Sequence, residues 1–130
     1  MKVFLGGTCN ESKWREELIE GLEMDYFNPV VEDWTPDCQE EEIYQREHCD
    51  YVLYTITPKM KGVYSIAEVV DDSNKRPKKT ILCILDDDID GSFSMAQLKS
   101  LKAVGSMVRN NGGFVVDNLR AVRHYLNHNI

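Results

Sequence analysis

The sequence lacks any apolar run that approaches the roughly 20 residues of a membrane-spanning helix. Its start, Met1-Lys2, leads into a short apolar run that Gly6-Gly7 ends, without the longer apolar segment typical of a signal peptide. No internal repeat, linker or low-complexity segment divides the 130 residues, a length that suffices for one hydrophobic core. These absences predict a single soluble, cytoplasmic domain that spans residues 1–130.

Positive charge is scarce. The chain has 15 Lys and Arg residues against 22 Asp and Glu residues, which gives a formal net charge of -7. The densest basic cluster consists only of Lys75-Arg76 and Lys78-Lys79. Proteins that bind nucleic-acid phosphates carry a basic patch or stripe, so we expect no polymeric nucleic acid among the partners. The missing apolar run leads us to expect no membrane partner either.

The cysteines and histidines lack the pattern of a metal site or of a catalytic thiol. No CxxC motif occurs and no Cys/His spacing suits zinc, so we expect no metal and no other cofactor. The histidines lie in helical stretches that nothing brings to Cys9, which disfavours a Cys/His mechanism. We interpret the remaining thiols as free cysteines of a reducing compartment: Cys38, Cys49 and Cys83.

Strand-like and helix-like segments alternate along the chain. Short β-favouring runs predict strands at residues 2–5, 25–28, 50–57, 79–85 and 114–116. Apolar residues at helical spacing predict helices at about 12–23, 37–48, 64–74, 94–110 and, after a cap at Asp117 or Asn118, up to 126. The alternation predicts a single flavodoxin-like α/β domain of three layers, with a five-stranded parallel sheet of order 2-1-3-4-5 and helices on both faces.

That strand order predicts where a ligand binds. In such sheets the ligand lies beyond the carboxyl ends of the strands, at the switch point between strands 1 and 3. The loops at this point are residues 6–10 and 58–64, and Gly6 and Gly7 allow a close approach of the backbone to a ligand. Gly6-Gly7-Thr8 is not the GxGxxG fingerprint and lacks the lysine of a P-loop, which argues against dinucleotide-fold enzymes and NTPases.

Residues 62–68 are predicted to form a glycine turn that opens a helix and places Glu68 in its first turn. Two interpretations of this carboxylate remain open. Ser65-x-x-Glu68 matches a capping box, in which the glutamate bonds back to the serine N–H. Alternatively, Glu68 points into the crevice as a nucleophile, and the positive end of the helix favours its ionised form by roughly 0.3–1 kcal/mol.

Several pieces of the sequence occur together in one known family: residues 49–68, residues 4–8, Asn28-Pro29 and Asp33-Trp34. With them, most of the chain resembles the nucleoside 2-deoxyribosyltransferase family, in particular its small phage and bacterial branch. In that family a glutamate attacks C1′ of a nucleoside sugar, the base leaves, and another base or water resolves the glycosyl-enzyme. The resemblance implies a deoxyribosyltransferase or N-glycosidase that acts on a nucleoside or nucleotide through Glu68, in a homodimer or larger homo-oligomer.

The resemblance also assigns roles to further residues. Members carry a carboxylate eight residues ahead of the Asp that opens strand 3, where it protonates or orients the base; counting back from Asp50 gives Glu42. Alternatively, Glu42 is one solvated charge of an acidic run. Asp50 itself is expected to position the start of the strand. Candidate substrate-binding residues are Gly6, Gly7, Thr8, Trp34, Gly62, Tyr64 and Ser65, with Trp34 either stacked on a base or packed within the protein.

The chain departs from the family pattern near the nucleophile. A tyrosine on strand 1 is replaced by Phe4, so a hydroxyl contact is missing unless Tyr64 supplies it, and an aspartate of some members is Gly62 here. A second hypothesis is therefore a non-catalytic module that binds a nucleotide or an NAD-derived ligand in the same crevice. A third is an interaction protein with a degenerate site.

The departures extend to phosphate recognition. The basic residue that follows strand 1 in the nucleotide-hydrolysing relatives is replaced by Cys9 and Asn10. This leaves Lys59 and Lys61 as the candidates for binding a 5′-phosphate.

Overall fold

The computed structural model describes residues 1–9 and 11–128, and Asn10, the last residue of the predicted loop after strand 1, lies outside them. The strands are, in chain order, β1 (Lys2–Gly7), β2 (Asp25–Phe27), β3 (Tyr51–Ile56), β4 (Thr80–Ile84), β5 (Asp87–Asp88), β6 (Gly91–Ser92) and β7 (Phe114–Val116). The helices are α1 (Trp14–Ile19), α2 (Pro36–His48), α3 (Tyr64–Lys75), α4 (Met95–Asn110) and α5 (Leu119–His128). A 3-10 turn at Pro77–Lys79 precedes β4.

The main sheet confirms the predicted flavodoxin-like arrangement. Its strands are all parallel and lie in the order β2-β1-β3-β4-β7, which is 2-1-3-4-5 when only the strands of this sheet are counted. Every residue of β3 is buried, as expected for the central strand of a parallel sheet. β1 pairs with β3 in a register that sets Gly7 opposite Thr55.

Helices cover both faces of the sheet, because successive residues of a strand point to opposite sides. One face of the sheet packs against α1 and α5 through a core cluster that includes Val3, Leu5, Trp14, Leu18, Val122 and Leu126. The other face packs against α3 and α4 through Phe4, Tyr54, Val69, Leu101 and Val108. Within residues 1–9 and 11–128, no helix has both the length and the apolar composition required to cross a membrane.

The first helix is shorter than predicted. α1 is Trp14–Ile19 rather than residues 12–23. The chain then turns at Gly21, whose φ of 89° lies in the left-handed region that favours glycine. Leu22 lies after the helix and still packs against the core. Because it is apolar and four residues after Leu18, the sequence wrongly suggests that the helix continues to it.

A small antiparallel hairpin, β5–β6, follows β4 between the strand predicted at residues 79–85 and the helix predicted at 94–110. Aspartate is depleted in strands, so the composition gives no strand signal there. The Thr57 hydroxyl donates a hydrogen bond to Asp88 Oδ2 at 2.6 Å and ties the hairpin to the end of β3. The hairpin thereby braces the loop that leads from β3 to α3.

Candidate functional site

The carboxyl ends of β1 and β3 are locked side by side. Thr8 N donates to the Thr55 carbonyl at 2.9 Å, and Thr57 N donates to Thr8 Oγ1 at 2.9 Å. Gly7 adopts a φ of 113°, and a Cβ there would overlap the Thr55 carbonyl oxygen. A Cβ on Gly6 would lie 2.7 Å from the Tyr54 ring. The glycines are therefore needed for this close pairing of the two strands.

A crevice of about 330 Å³ opens at this switch point. Its size falls within the range of about 300–1,000 Å³ typical of small-molecule sites. The structure brings all the predicted site residues to its lining: Gly6, Gly7, Thr8, Trp34, Glu42, Gly62, Tyr64, Ser65 and Glu68. The rest of the lining consists of Phe4, Cys9, Arg15, Pro29, Met60 and Lys61.

Glu68 lies in the second turn of α3, so the predicted first-turn position is wrong. The helix begins at Tyr64, with Val63 as its N-cap and no side-chain capping bond. Ser65 is therefore inside the helix rather than at its cap, which also makes the capping-box interpretation wrong. The sequence misleads because Ser-x-x-Glu signals a cap only when the serine itself is the N-cap residue.

The Glu68 carboxyl is largely, but not fully, buried, and its pKa lies near neutrality. Its side chain is 14% exposed. Burial raises its pKa to about 7, the positive charge of Arg46 lowers it, and the charges of Glu42 and Asp72 raise it further. Burial thus outweighs the expected stabilisation of the ionised carboxylate by the helix N-terminus, because that effect falls off within the first turn.

Beneath Glu68 lies a network of ion pairs that the sequence did not reveal. Arg46 Nη1 is 3.5 Å from Glu68 Oε2, and the same guanidinium donates to both carboxylate oxygens of Asp72 at 3.1 and 3.0 Å. Asp72 is fully buried and also accepts from the Tyr54 hydroxyl at 2.5 Å and from Arg76 at 2.7 Å. These bonds fix the cation next to Glu68.

A signal for this network exists in the sequence. Glu42 and Arg46 are four residues apart on α2, and Glu68 and Asp72 are four residues apart on α3, so each pair shares a helix face. Which two faces meet depends on the packing of α2 against α3, which sequence spacing does not give.

Glu42 and Trp34 approach the same crevice from the segment before β3. Glu42 is half-buried, and burial raises its pKa, while a hydrogen bond from the Trp34 side chain and the charge of Arg46 lower it. Glu42 is therefore not simply a solvated charge of an acidic run. The Trp34 side chain is 57% exposed, so more than half of its surface is open to the solvent or to a ligand.

The structure also shows where the residues near the predicted nucleophile that depart from the family pattern lie. Phe4 lies in the lining with its ring 5.9 Å from that of Tyr54, and Tyr64, 65% exposed, is the lining residue with a phenol. Asp50 Oδ2 accepts from Lys2 N at 2.8 Å, and so positions the start of β3 against β1. Among the described residues, no cluster of three His, Cys, Asp or Glu side chains suits a metal ion.

Two cations line the crevice near the end of β1. Lys61 belongs to the lining, is largely exposed, and pairs with Glu11 at 3.3 Å, whereas Lys59 is not part of the lining. The sequence does not distinguish Arg15 as a site residue, because it is one of several charged residues on the predicted amphipathic helix. Its guanidinium is buried at the crevice wall.

Comparison with known proteins gives one match. A family model described as nucleoside 2-deoxyribosyltransferase like matches residues 1–87, about two thirds of the 130 residues. The matched part runs from β1 into β5 and contains the whole crevice lining. No curated protein and no solved structure matches the chain.

Proposed function

The chain belongs to the nucleoside 2-deoxyribosyltransferase-like family, and we propose that it cleaves the N-glycosidic bond of a nucleoside or nucleotide with Glu68 as nucleophile. The family indicates glycosyl transfer on nucleosides. The observation that carries the finer assignment is the pairing of two carboxyl groups, Glu68 and Glu42, in one crevice at the switch point of the sheet.

The proposed reaction gives the two carboxyl groups different roles. The ionised Glu68 attacks C1′ of the sugar, and the C1′–N bond breaks with its electron pair passing to the base. Glu42, a half-buried carboxyl group in the lining of the same crevice, supplies in its protonated form the proton that the leaving base takes up. The result is a glycosyl ester on Glu68, a neutral free base and an ionised Glu42.

The second half of the reaction reverses these roles. A second base or a water molecule attacks C1′ and releases Glu68 as a carboxylate. The proton lost by the incoming nucleophile returns to Glu42, which restores the starting state. Attack by a second base gives transfer, and attack by water gives hydrolysis. The exposed aromatic side chains of Trp34 and Tyr64 offer stacking surfaces for a base.

Arg46 serves this scheme as a positioning residue. Its guanidinium is held by Asp72 and lies 3.5 Å from Glu68. A positive charge at this distance keeps the pKa of Glu68 from rising above about 7, so that an ionised fraction is present at neutral pH.

The test is substitution of Glu68 by Gln, with base release or base exchange followed by chromatography over a panel of nucleosides and nucleotides. We expect a loss of at least about 10³-fold in kcat. We expect Glu42→Gln to cost about 10²–10⁴-fold, as for loss of a general acid. Glu40→Gln, an exposed site on the same helix as Glu42, is the control and should leave the rate unchanged.

Two outcomes would overturn the assignment. Undiminished turnover in folded Glu68→Gln would remove Glu68 as the nucleophile. Tight binding of a nucleotide without turnover in the wild-type protein, unaffected by Glu68→Gln, would instead indicate a non-catalytic binding module in this crevice.

Membership of the family also supports a homo-oligomer acting in the cytoplasm. Light scattering on the purified chain measures its assembly state directly. A monomer that turns over substrate would contradict the oligomeric part of this proposal.

A further inference from the structure

Asp72 is a fully buried carboxylate of α3 that lies outside the lining of the crevice. Four hydrogen bonds converge on it. Its Oδ1 accepts from Arg46 Nη2 at 3.0 Å and from Arg76 Nη1 at 2.7 Å, and its Oδ2 accepts from Arg46 Nε at 3.1 Å and from the Tyr54 hydroxyl at 2.5 Å. An ionised carboxylate has about four acceptor sites, so this arrangement occupies all of them. Asp72 therefore holds Arg46 in one defined geometry.

The two bonds from Arg46 to Asp72 determine where the rest of the guanidinium points. The group is planar, and Nε and Nη2 form the edge that faces Asp72, so Nη1 is the remaining corner. Nη1 lies 3.5 Å from Glu68 Oε2. A charge-assisted hydrogen bond between such groups measures about 2.7–2.9 Å. Arg46 therefore acts on Glu68 through its charge, without the close pairing that it has with Asp72.

Glu68 changes its charge during the proposed reaction, whereas the guanidinium of Arg46 stays positive. Glu68 is neutral when it has taken up a proton and again when it carries the sugar as an ester. The Arg46 side chain is only 10% exposed, and a buried cation without a partner is costly. Asp72 takes no part in these steps, so it keeps the cation paired in each of them.

The charged and titratable groups that face Glu68 come from three elements. Arg46 and Glu42 approach it from α2, Asp72 lies one turn further along α3, and Tyr54 belongs to β3. Burial raises the pKa of Glu68, the charge of Arg46 lowers it, and the charges of Glu42 and Asp72 raise it. Tyr54 is a neutral donor, because burial raises the pKa of its phenol well above the usual value. A change at Asp72 therefore reaches Glu68 both directly and through Arg46.

We propose that Asp72 is a positioning residue that holds Arg46 at a fixed distance from Glu68 in every charge state of the nucleophile. This role rests on the proposed function. Without the charge of Asp72, the guanidinium would turn to Glu68, the more buried of its two remaining carboxylate partners. A carboxylate in a close ion pair must give up part of that interaction before it attacks C1′, so the close pair would slow the reaction.

The main test is Asp72→Asn, which keeps the shape of the side chain and removes its charge. The pKa of Glu68 is measured by NMR from the titration of its carboxyl carbon, which is assigned by its loss in Glu68→Gln. We expect this pKa to fall by about one unit or more, because Arg46 closes on Glu68 and the charge of Asp72 is gone. We also expect the plateau kcat to fall by about 10²-fold, although more of Glu68 is ionised. An unchanged or raised pKa of Glu68 in folded Asp72→Asn would overturn the proposal.

Asp71→Asn is the matched control. Asp71 is the neighbouring carboxylate, 43% exposed, and it accepts from the same Nη2 of Arg46 at 3.0 Å. Its charge is not among those that act on Glu68. The pKa of Glu68 and the plateau kcat should therefore stay close to their wild-type values. A shift as large as that of Asp72→Asn would mean that loss of any partner of Arg46 has this effect, and it would refute the specific role of Asp72.

A measurement on the wild-type protein covers the case in which Asp72→Asn does not fold. The Nε–H resonance of Arg46, assigned by its loss in Arg46→Lys, is followed by ¹⁵N NMR across the pKa of Glu68 at about 7. We expect the resonance to persist with a nearly constant shift, because its hydrogen bond goes to Asp72. Loss or broadening of the resonance as Glu68 takes up its proton would show that Glu68 holds Arg46, and would overturn the proposal.

The outcomes separate this inference from the proposed function. Base release that requires Glu68, combined with an unchanged pKa of Glu68 in Asp72→Asn, would refute the role of Asp72 and leave the function intact. The expected fall of that pKa, with no base released from any substrate by the wild-type protein, would support the hold of Asp72 on Arg46 and refute the catalytic proposal.

Discussion

At the scale of single residues, the site is defined by carboxyl groups in unequal surroundings. Glu68 is largely buried and has one cation 3.5 Å away, whereas Asp72 is fully buried and receives hydrogen bonds from Arg46, Tyr54 and Arg76. The negative charge of Asp72 is therefore fully compensated by hydrogen bonds, whereas that of Glu68 is not. An under-compensated carboxyl group in a crevice is the arrangement expected of a reactive rather than a structural group.

The burial of Glu68 predicts a stability cost. Because its pKa is raised from 4.5 to about 7, the folded protein keeps a proton that the unfolded chain releases, and stability falls as the pH rises through this window. We expect Glu68→Gln to be more stable than wild type at pH 8 by on the order of 1–3 kcal/mol, and equally stable near pH 4. Urea denaturation at both pH values measures this.

The exposed Glu40→Gln is the control for that comparison and should change stability little at either pH. If Glu68→Gln is less stable than wild type at pH 8, then the Arg46 contact stabilises the carboxylate by more than burial costs. That result would contradict the raised pKa.

Arg46 predicts the position of the pH profile. The wild-type kcat/KM should rise with pH through about 7 as Glu68 ionises. Arg46→Met removes the cation that lowers the pKa of Glu68, so the rise should move to higher pH. Loss of this buried partner should also destabilise the fold by about 3–5 kcal/mol. Arg46→Lys retains the charge and should show a smaller shift, whereas a destabilised variant with an unmoved profile would restrict Arg46 to a structural role.

At the scale of secondary-structure elements, the end of β1 and the start of α3 depend on different glycines for different reasons. Gly7→Ala should destabilise the protein by about 1–3 kcal/mol or more, because φ is 113° and the new Cβ overlaps the Thr55 carbonyl. Gly62→Ala is the matched comparison, since nothing lies within 4 Å of a Cβ there. Thermal unfolding of the two variants should differ clearly, and equal Tm values would contradict the locked pairing of β1 and β3.

The elements were predictable where their signals are local. The apolar run of β3 and the regular alternation of strands and helices gave the sheet order, and that order gave the place of the crevice. The end of α1 was misplaced because Leu22 reaches the core from a turn, and the β5–β6 hairpin was missed because it is built largely from aspartates. Arg46 and Arg15 were missed because their partners lie on other elements, and the meeting of elements is set by packing rather than by spacing.

At the scale of the whole molecule, the part that matches the family leaves one strand of the main sheet and two of its covering helices outside the match. Residues 88–130 supply β7, which pairs with β4, and the helices α4 and α5, which cover opposite faces of the sheet. Without them, β4 residues that are now buried, such as Ile81 and Leu82, would meet water. The crevice therefore depends on a core that extends beyond residue 87.

We accordingly expect a chain that ends at Asp87 to lack cooperative unfolding and dispersed amide resonances. The cause is loss of the apolar burial provided by α4 and α5 on the two faces of the sheet. Circular dichroism melting and a two-dimensional NMR spectrum of the truncated and full chains make the comparison. A cooperative melt of the truncated chain would contradict this and would define a smaller folding unit.

The hydrogen bond from Thr57 N to the Thr8 hydroxyl has a consequence for how the site can be observed. This amide is protected by a side chain 49 positions away rather than by a neighbouring strand. Its exchange with deuterium requires this contact between the ends of β1 and β3 to break, so its exchange rate reports local opening at the crevice separately from global unfolding. A ligand that bridges the two strand ends should slow this one amide more than the amides in the middle of β3.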